Sequence, residues 1–142
     1  MVEIKKKDIL ISADKRKLQI KVIHSFLTES YWCSGIPIEV VKTQIKNSFC
    51  VGVYIQREQV GFARVVTDYT SHAYLCDVFI LESHRGKGLS KLLMEFVFKH
   101  PKLNKIRAWR LSTKDAHGLY TKYGFIPETN PERLMVRKTK AW

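Results

Sequence analysis

Six consecutive residues, Arg85-Gly86-Lys87-Gly88-Leu89-Ser90, join two glycines to two cations, and the chemistry such a run supports is anion binding. The apolar helical pattern that follows puts the unpaired N–H groups and the positive end of a helix dipole at the same place. Gly86 and Gly88 have no Cβ, so their backbone can approach phosphate oxygens closely. Arg85 and Lys87 add charged donors. Alone, the run reads equally as a phosphate cradle or as a helix-start turn with an exposed lysine. The nucleotide loop GxxxxGK[ST] is absent, because no Gly-Lys is followed by Ser or Thr. The dinucleotide fingerprint GxGxxG is broken at Lys91, and no acidic ribose ligand follows at the expected distance of about 20 residues.

A second candidate is Asp77, the one charged residue between Ala73 and Leu81. A carboxylate in such a run is costly unless it lines a cleft or is paired, so it is either a functional acid or the partner of a nearby Arg or backbone donor. His72 and His84 fall in loops, where solvated side chains and proton relays are both open readings. Asp115 suits a helix cap. The three cysteines, Cys33, Cys50 and Cys76, have no CxxC spacing and lie in apolar or strand-like surroundings. They read as reduced, buried thiols of a cytoplasmic protein, and no metal site is expected.

The elements that must position these groups follow from periodicity. Ile9–Ser12 predicts a first strand. Asp14 caps a helix with Leu18, Val22, Ile23, Phe26 and Leu27 on its apolar face. The turn at Tyr31–Pro37 breaks that helix, and Pro37 opens a second one reaching Lys46. Phe49–Ile55, Val60–Thr67 and Ala73–Leu81 predict three hairpin-linked strands, the last apolar enough to be covered on both faces. Gly86–Lys99 is a helix, with Leu89, Leu92, Leu93, Phe96 and Val97 at helical spacing. Lys105–Ser112 predicts a strand, Asp115–Tyr123 a short helix, and Phe125 onward a final strand or hairpin reaching Leu134–Val136. Consecutive hairpins exclude a doubly wound fold, and the expectation is an α+β chain forming a single domain over residues 1–142.

Composition sets outer limits. The 142 residues are 45% hydrophobic and 27% charged, values of a folded globular chain. No apolar run approaches the ~20 residues of a membrane helix, and no apolar segment follows the N-terminal lysines as a signal peptide requires. The net charge of +12 is compatible with nucleic acid, but no recognised nucleic-acid motif accompanies it. A polyanionic ligand accounts for part of the same charge, so neither a nucleic-acid nor a membrane partner is expected.

The two glycine-bearing segments together resemble the GNAT superfamily of N-acetyltransferases. That family's central motif is an apolar strand triplet, a short link, then Q/R-x-x-G-x-G/A and a helix. Here it reads Asp77-Val78-Phe79-Ile80, Leu81–His84, then Arg85-Gly86-Lys87-Gly88-Leu89-Ser90. A second family element, a tyrosine-bearing helix ending in Gly-Phe, is matched by Asp115-Ala116-His117-Gly118-Leu119-Tyr120-Thr121-Lys122-Tyr123-Gly124-Phe125. One departure is Ser83, where the family has Gln or Arg; Arg85 stands near enough in sequence to compensate.

The resemblance implies a GNAT-like α+β fold, a mixed central sheet of about six to seven strands flanked by about four helices. It implies an N-acetyltransferase that uses acetyl-CoA, with Val78, Phe79 and Ile80 offering backbone to the pantetheine and Arg85–Ser90 the phosphate turn. Tyr120 matches the family tyrosine that serves the leaving sulfur; its other reading is a helix tyrosine packed beside Leu119 and Tyr123. Asp77 would deprotonate or hold an amine, and His117 lies one turn from Tyr120. Phe26, Tyr31 and Trp32 fall where the family builds its acceptor pocket, with core packing or a dimer contact as their other reading. The acceptor is expected to be a primary amine of a small molecule or peptide, and the protein a monomer or homodimer. A non-catalytic acyl-CoA sensor is the alternative of another class, and a basic nucleic-acid module a third.

Overall fold

The computed structural model describes residues 2–140 and 142, and the chain divides into two units, Met1–Leu111 and Ser112–Trp142. The first holds the strands β1 (Glu3–Lys6), β2 (Ile9–Ser12), β3 (Phe49–Ile55), β4 (Glu58–Thr67), β5 (His72–Ile80) and β6 (Ala108–Arg110), with helices α1 (Ile20–Glu29), α2 (Ile38–Lys46) and α3 (Leu89–Lys99). The second holds α4 (His117–Thr121) and a 3-10 turn at Pro131–Arg133.

The strands form one six-stranded sheet in sequence order. β1 to β5 are antiparallel neighbours, and β6 is parallel to β5. That last pairing needs a crossover, which α3 supplies. β3 is buried on both faces from Phe49 to Tyr54, as a central strand is when helices cover it. Ile23, Leu27, Ile36, Val41 and Ile45 of the α1–α2 hairpin pack with Cys50, Phe62 and Phe79. α3 packs on β2, β3 and β5, and buries Leu89, Leu93, Met94, Phe96 and Val97.

Two features of β5 shape its surroundings. Arg64 pairs with Cys76 but Phe62 with Phe79, so Asp77 and Val78 together oppose Ala63 in a β-bulge. Asp77 takes the left-handed conformation there, at φ 54°, one that Asp tolerates better than most side chains. Pairing with β6 covers only His72–Tyr74, so among the described residues no strand joins that edge of β5 beyond Tyr74.

Several expectations shift. Glu3–Lys6, with only Ile4 apolar, pairs with β2 as an edge strand that burial does not mark. Asp14 caps a 3-10 turn at Lys15–Lys17 through the Arg16 N–H, and α1 starts only at Ile20. α3 starts at Leu89, leaving Gly86–Gly88 as turn. The segment after α3 stays in turns tied to His100 and Leu103, so β6 keeps three of the residues expected between Lys105 and Ser112. Leu134–Val136 is not a strand: its residues are exposed (Met135 at 97%) and join no ladder among the described residues.

Candidate active site

The glycine turn has the local geometry its residue types demand. Gly86 and Gly88 lie at φ 79° and 75°, the left-handed region where a Cβ is strained. A Cβ on either would meet nothing within 4 Å, so the space in front of the turn is open. α3 has no side-chain cap and no acidic residue in its first turn, which leaves its first N–H groups directed at that space with Lys87 beside them. This is a cradle that a phosphate group fits.

Arg85 also has a structural contact. Its Nε donates to the Ile80 carbonyl at 3.1 Å, fastening the turn to the end of β5. Ser83 contributes no long donor, and its hydroxyl is 2.9 Å from His84 Nδ1. Phe79 and Leu89 are buried, so only their backbone could touch a ligand. Ser90 and Val78 are half-buried. Val78 lies in the part of β5 beyond Tyr74, where no strand pairs with that edge among the described residues.

The three aromatics of the α1 end converge on that strand. Phe26 stacks on Phe79 with ring centroids 4.0 Å apart and planes 9° apart. Trp32 lies 6.1 Å from Phe26 and 5.0 Å from Tyr31, edge-on to the latter. Tyr31 and Trp32 remain 62% and 41% exposed, which large aromatics in a core are not. They form a wall with an open face.

Asp77 anchors this wall. Its Oδ1 accepts from Trp32 Nε1 at 3.0 Å and its Oδ2 from Arg64 Nε at 2.8 Å. Arg64 also reaches Ser48 Oγ at 3.1 Å. Of the readings open for this carboxylate, the pair with an arginine is present. The sequence names Asp77 but not Arg64, although Arg64 is likewise the only charge in β4 after its exposed first residue, Glu58. Reading the two lone charges on adjacent strands together would have found it.

Burial pushes the Cys33 and Cys50 thiols up to about 11 and Cys76 to about 12, with charge from Asp77 adding to the effect. At neutral pH they are protonated and poor nucleophiles. Among the described residues they form no disulfide, and no cluster of His, Cys, Asp or Glu has a metal-binding arrangement. His72 Nδ1 lies 3.2 Å from Arg110 Nη1.

In the second unit Tyr120 is buried, and its ring meets Phe125 edge-on at 5.9 Å. Gly124 at φ 87° lets the chain reverse, so that the Phe125 N–H returns to the Tyr120 carbonyl at 3.3 Å. Gly-Phe thus ends α4 and seats the tyrosine. Asp115 is not its cap: α4 begins after Ala116 without a side-chain cap, and Thr113 Oγ1 instead receives the Ala116 N–H. His117 is exposed at the helix start.

A mixed sheet whose bulged β5 leads into an uncapped glycine turn defines an anion-binding α+β scaffold. Residues 46–127 match the family model described as an acetyltransferase (GNAT) domain, and the chain belongs to that family. A Xanthomonas campestris pv. campestris structure, described as an acetyltransferase of the GNAT family, superposes with a TM-score of 0.90 at 43% identity, over 95% of this chain and 96% of that one. A Gibberella zeae protein with acetyltransferase in its name is 28% identical over 110 residues, 63% of this chain and 62% of that protein. The match thus spans under two thirds of that relative's length. A GNAT structure from Elizabethkingia anophelis with acetyl-CoA bound shares the fold, with a TM-score of 0.63 at 15% identity over 83% of this chain and 76% of that one. Among the described residues no helix is long and apolar enough to cross a membrane.

Proposed function

We propose that this chain moves the acetyl group of acetyl-CoA to the primary amine of a small molecule or peptide, by direct attack in a ternary complex. The observation that carries the reading is the open, uncapped turn at Gly86–Gly88 that follows a β5 edge unpaired beyond Tyr74 among the described residues. When bound, acetyl-CoA supplies a thioester carbonyl that an amine can attack. The N–H groups of the turn and Lys87 would hold its phosphates. The Val78–Phe79 backbone would pair with its amide-bearing arm; the Ile80 carbonyl accepts from Arg85 Nε.

On the acceptor side, the Tyr31–Trp32 wall offers aromatic faces to a cationic amine. At pH 7 an amine with the ordinary value near ~10.4 must give up its proton at a cost of about 4.6 kcal/mol, so the site must exclude water or accept that proton. Asp77, held between Arg64 and Trp32, sets the orientation of the wall. Tyr120 falls in the family's tyrosine motif, within the span that the family model matches, and is the residue whose phenol would supply a proton to the departing thiolate.

Incubating the protein with acetyl-CoA and a library of amines, with free thiol as readout, tests this. Thiol release that depends on one class of amine is expected. Thermal protection by coenzyme A with no thiol release from any amine would instead establish a non-catalytic acyl-CoA sensor.

A further inference from the structure

At the sheet end where β1 turns into β2 and β3 into β4, a cavity of about 530 Å³ opens, far along the sheet order from β5. The two turns lie side by side because Ile9 pairs with Ile55. Both place ordinary side chains in the left-handed region, Lys7 at φ 55°, Gln56 at 50° and Arg57 at 70°. Hairpin turns favour Asn-Gly there, so long side chains are retained at these positions against backbone preference, and all three line the cavity. The second turn is braced from beneath: Gln19 Nε2 donates to the Arg57 carbonyl at 2.7 Å, and the Gln59 N–H donates to Gln19 Oε1 at 3.1 Å.

Lys5, Lys7, Lys17 and Arg57 line the cavity against two carboxylates, Glu3 and Asp8. Glu3 is already engaged, by Ser12 Oγ at 3.1 Å and Lys17 Nζ at 3.9 Å. Cations therefore remain in excess. The Tyr54 ring and Leu10 add apolar surface. Tyr54 is 3% exposed, and its buried hydroxyl has no hydrogen-bond partner among the described residues. Such groups are ordinarily satisfied. Gly52 is required for this pose, since a Cβ there would collide with the Tyr54 ring. Burial, reinforced by the charges of Asp14, Cys50 and Glu3, holds the phenol above its ordinary range.

We infer that this cavity binds a small phosphate-bearing molecule: Arg57, Lys5 and Lys7 meet the phosphate, and the Tyr54 ring and Leu10 meet an apolar body. Arginine's fork and two ammonium groups suit a dianion with three acceptor oxygens better than a single carboxylate. The volume falls within the ordinary range for small-ligand sites. The site is independent of acetyl transfer.

The probe is phenyl phosphate, titrated into the ¹⁵N-labelled protein with phenylacetate as the carboxylate comparison. Amide shifts should move at Lys7, Tyr54 and Arg57 separately from those of Lys87–Ser90, with phenyl phosphate binding more tightly than phenylacetate. Arg57→Gly should weaken binding about tenfold or more by removing a charge-assisted contact, while raising the Tm because glycine accepts the turn conformation. Tyr54→Phe, which keeps the ring and deletes a hydroxyl buried over Gly52, should leave binding within about twofold. Shifts confined to Lys87–Ser90, equal affinity for phenylacetate, or undiminished binding in Arg57→Gly would each overturn the assignment.

Discussion

Arg64 Nε on β4 lies 2.8 Å from Asp77 Oδ2 in the bulge of β5, with the two side chains 13% and 3% exposed. The pair crosses the point where the β4–β5 register shifts, and the carboxylate's other oxygen holds Trp32. A buried pair of this kind is weak evidence for stability in itself, but removing one partner strands the other charge.

Asp77→Asn should therefore destabilise the fold by about 3–5 kcal/mol, the usual cost of breaking a buried pair from one side. Asn tolerates the left-handed backbone as Asp does, so strain does not confuse the result. In urea unfolding, Arg64→Met combined with Asp77→Asn should lose less than the sum of the single losses. Strict additivity would show that the pair carries no coupling.

Gly86→Val should lower coenzyme A affinity by tenfold or more in calorimetry, because a β-branched side chain enters the open space before α3. The strain of a non-glycine residue at this φ adds about 1–2 kcal/mol of destabilisation. A folded variant with unchanged affinity would remove the turn from the site.

Tyr120→Phe keeps the packing against Phe125 and deletes one hydroxyl. If that hydroxyl serves the leaving thiolate, kcat should fall by about 10²–10⁴, the usual range for a general acid, with coenzyme A affinity nearly intact. An unaltered turnover number would assign the tyrosine to packing alone.

The three thiols make a pH prediction. With values of about 11 to 12, the thiolate fraction at pH 8 is on the order of 10⁻³ or less. Iodoacetamide should modify the native protein slowly at pH 8, and faster with each added pH unit until about pH 11. Rapid modification at pH 7 would contradict that burial.

Asp14 works in the opposite direction. Its side-chain bond to Arg16, then the Arg16 N–H, lowers its pKa from 3.8 to about 2. Its folded value is below its unfolded one, so its contribution to stability is complete above about pH 4 and lost as pH falls through about 2. Asp14→Asn should flatten the dependence of Tm on pH across that window. An unchanged slope would count against the cap.

The residues alone determined a good deal. A run of β-forming residues delimits Phe49–Ile55, apolar spacing marks α3, and two glycines before a helix imply an anion cradle, because each depends on local sequence pattern or local backbone freedom. The pairing of the Arg85–Ser90 turn with the Tyr120 helix pointed to the family to which the chain belongs. Tertiary structure decided what depends on neighbours distant in sequence. Glu3–Lys6 became a strand only because β2 offered a ladder, while Leu134–Val136, more apolar, found none. Arg85 turned back onto Ile80. Asp77, a lone acid in sequence, was paired by Arg64 thirteen residues away and by Trp32 on another element. The desolvation of a buried charge is settled by whatever the fold brings within three ångströms of it, and no local pattern carries that information.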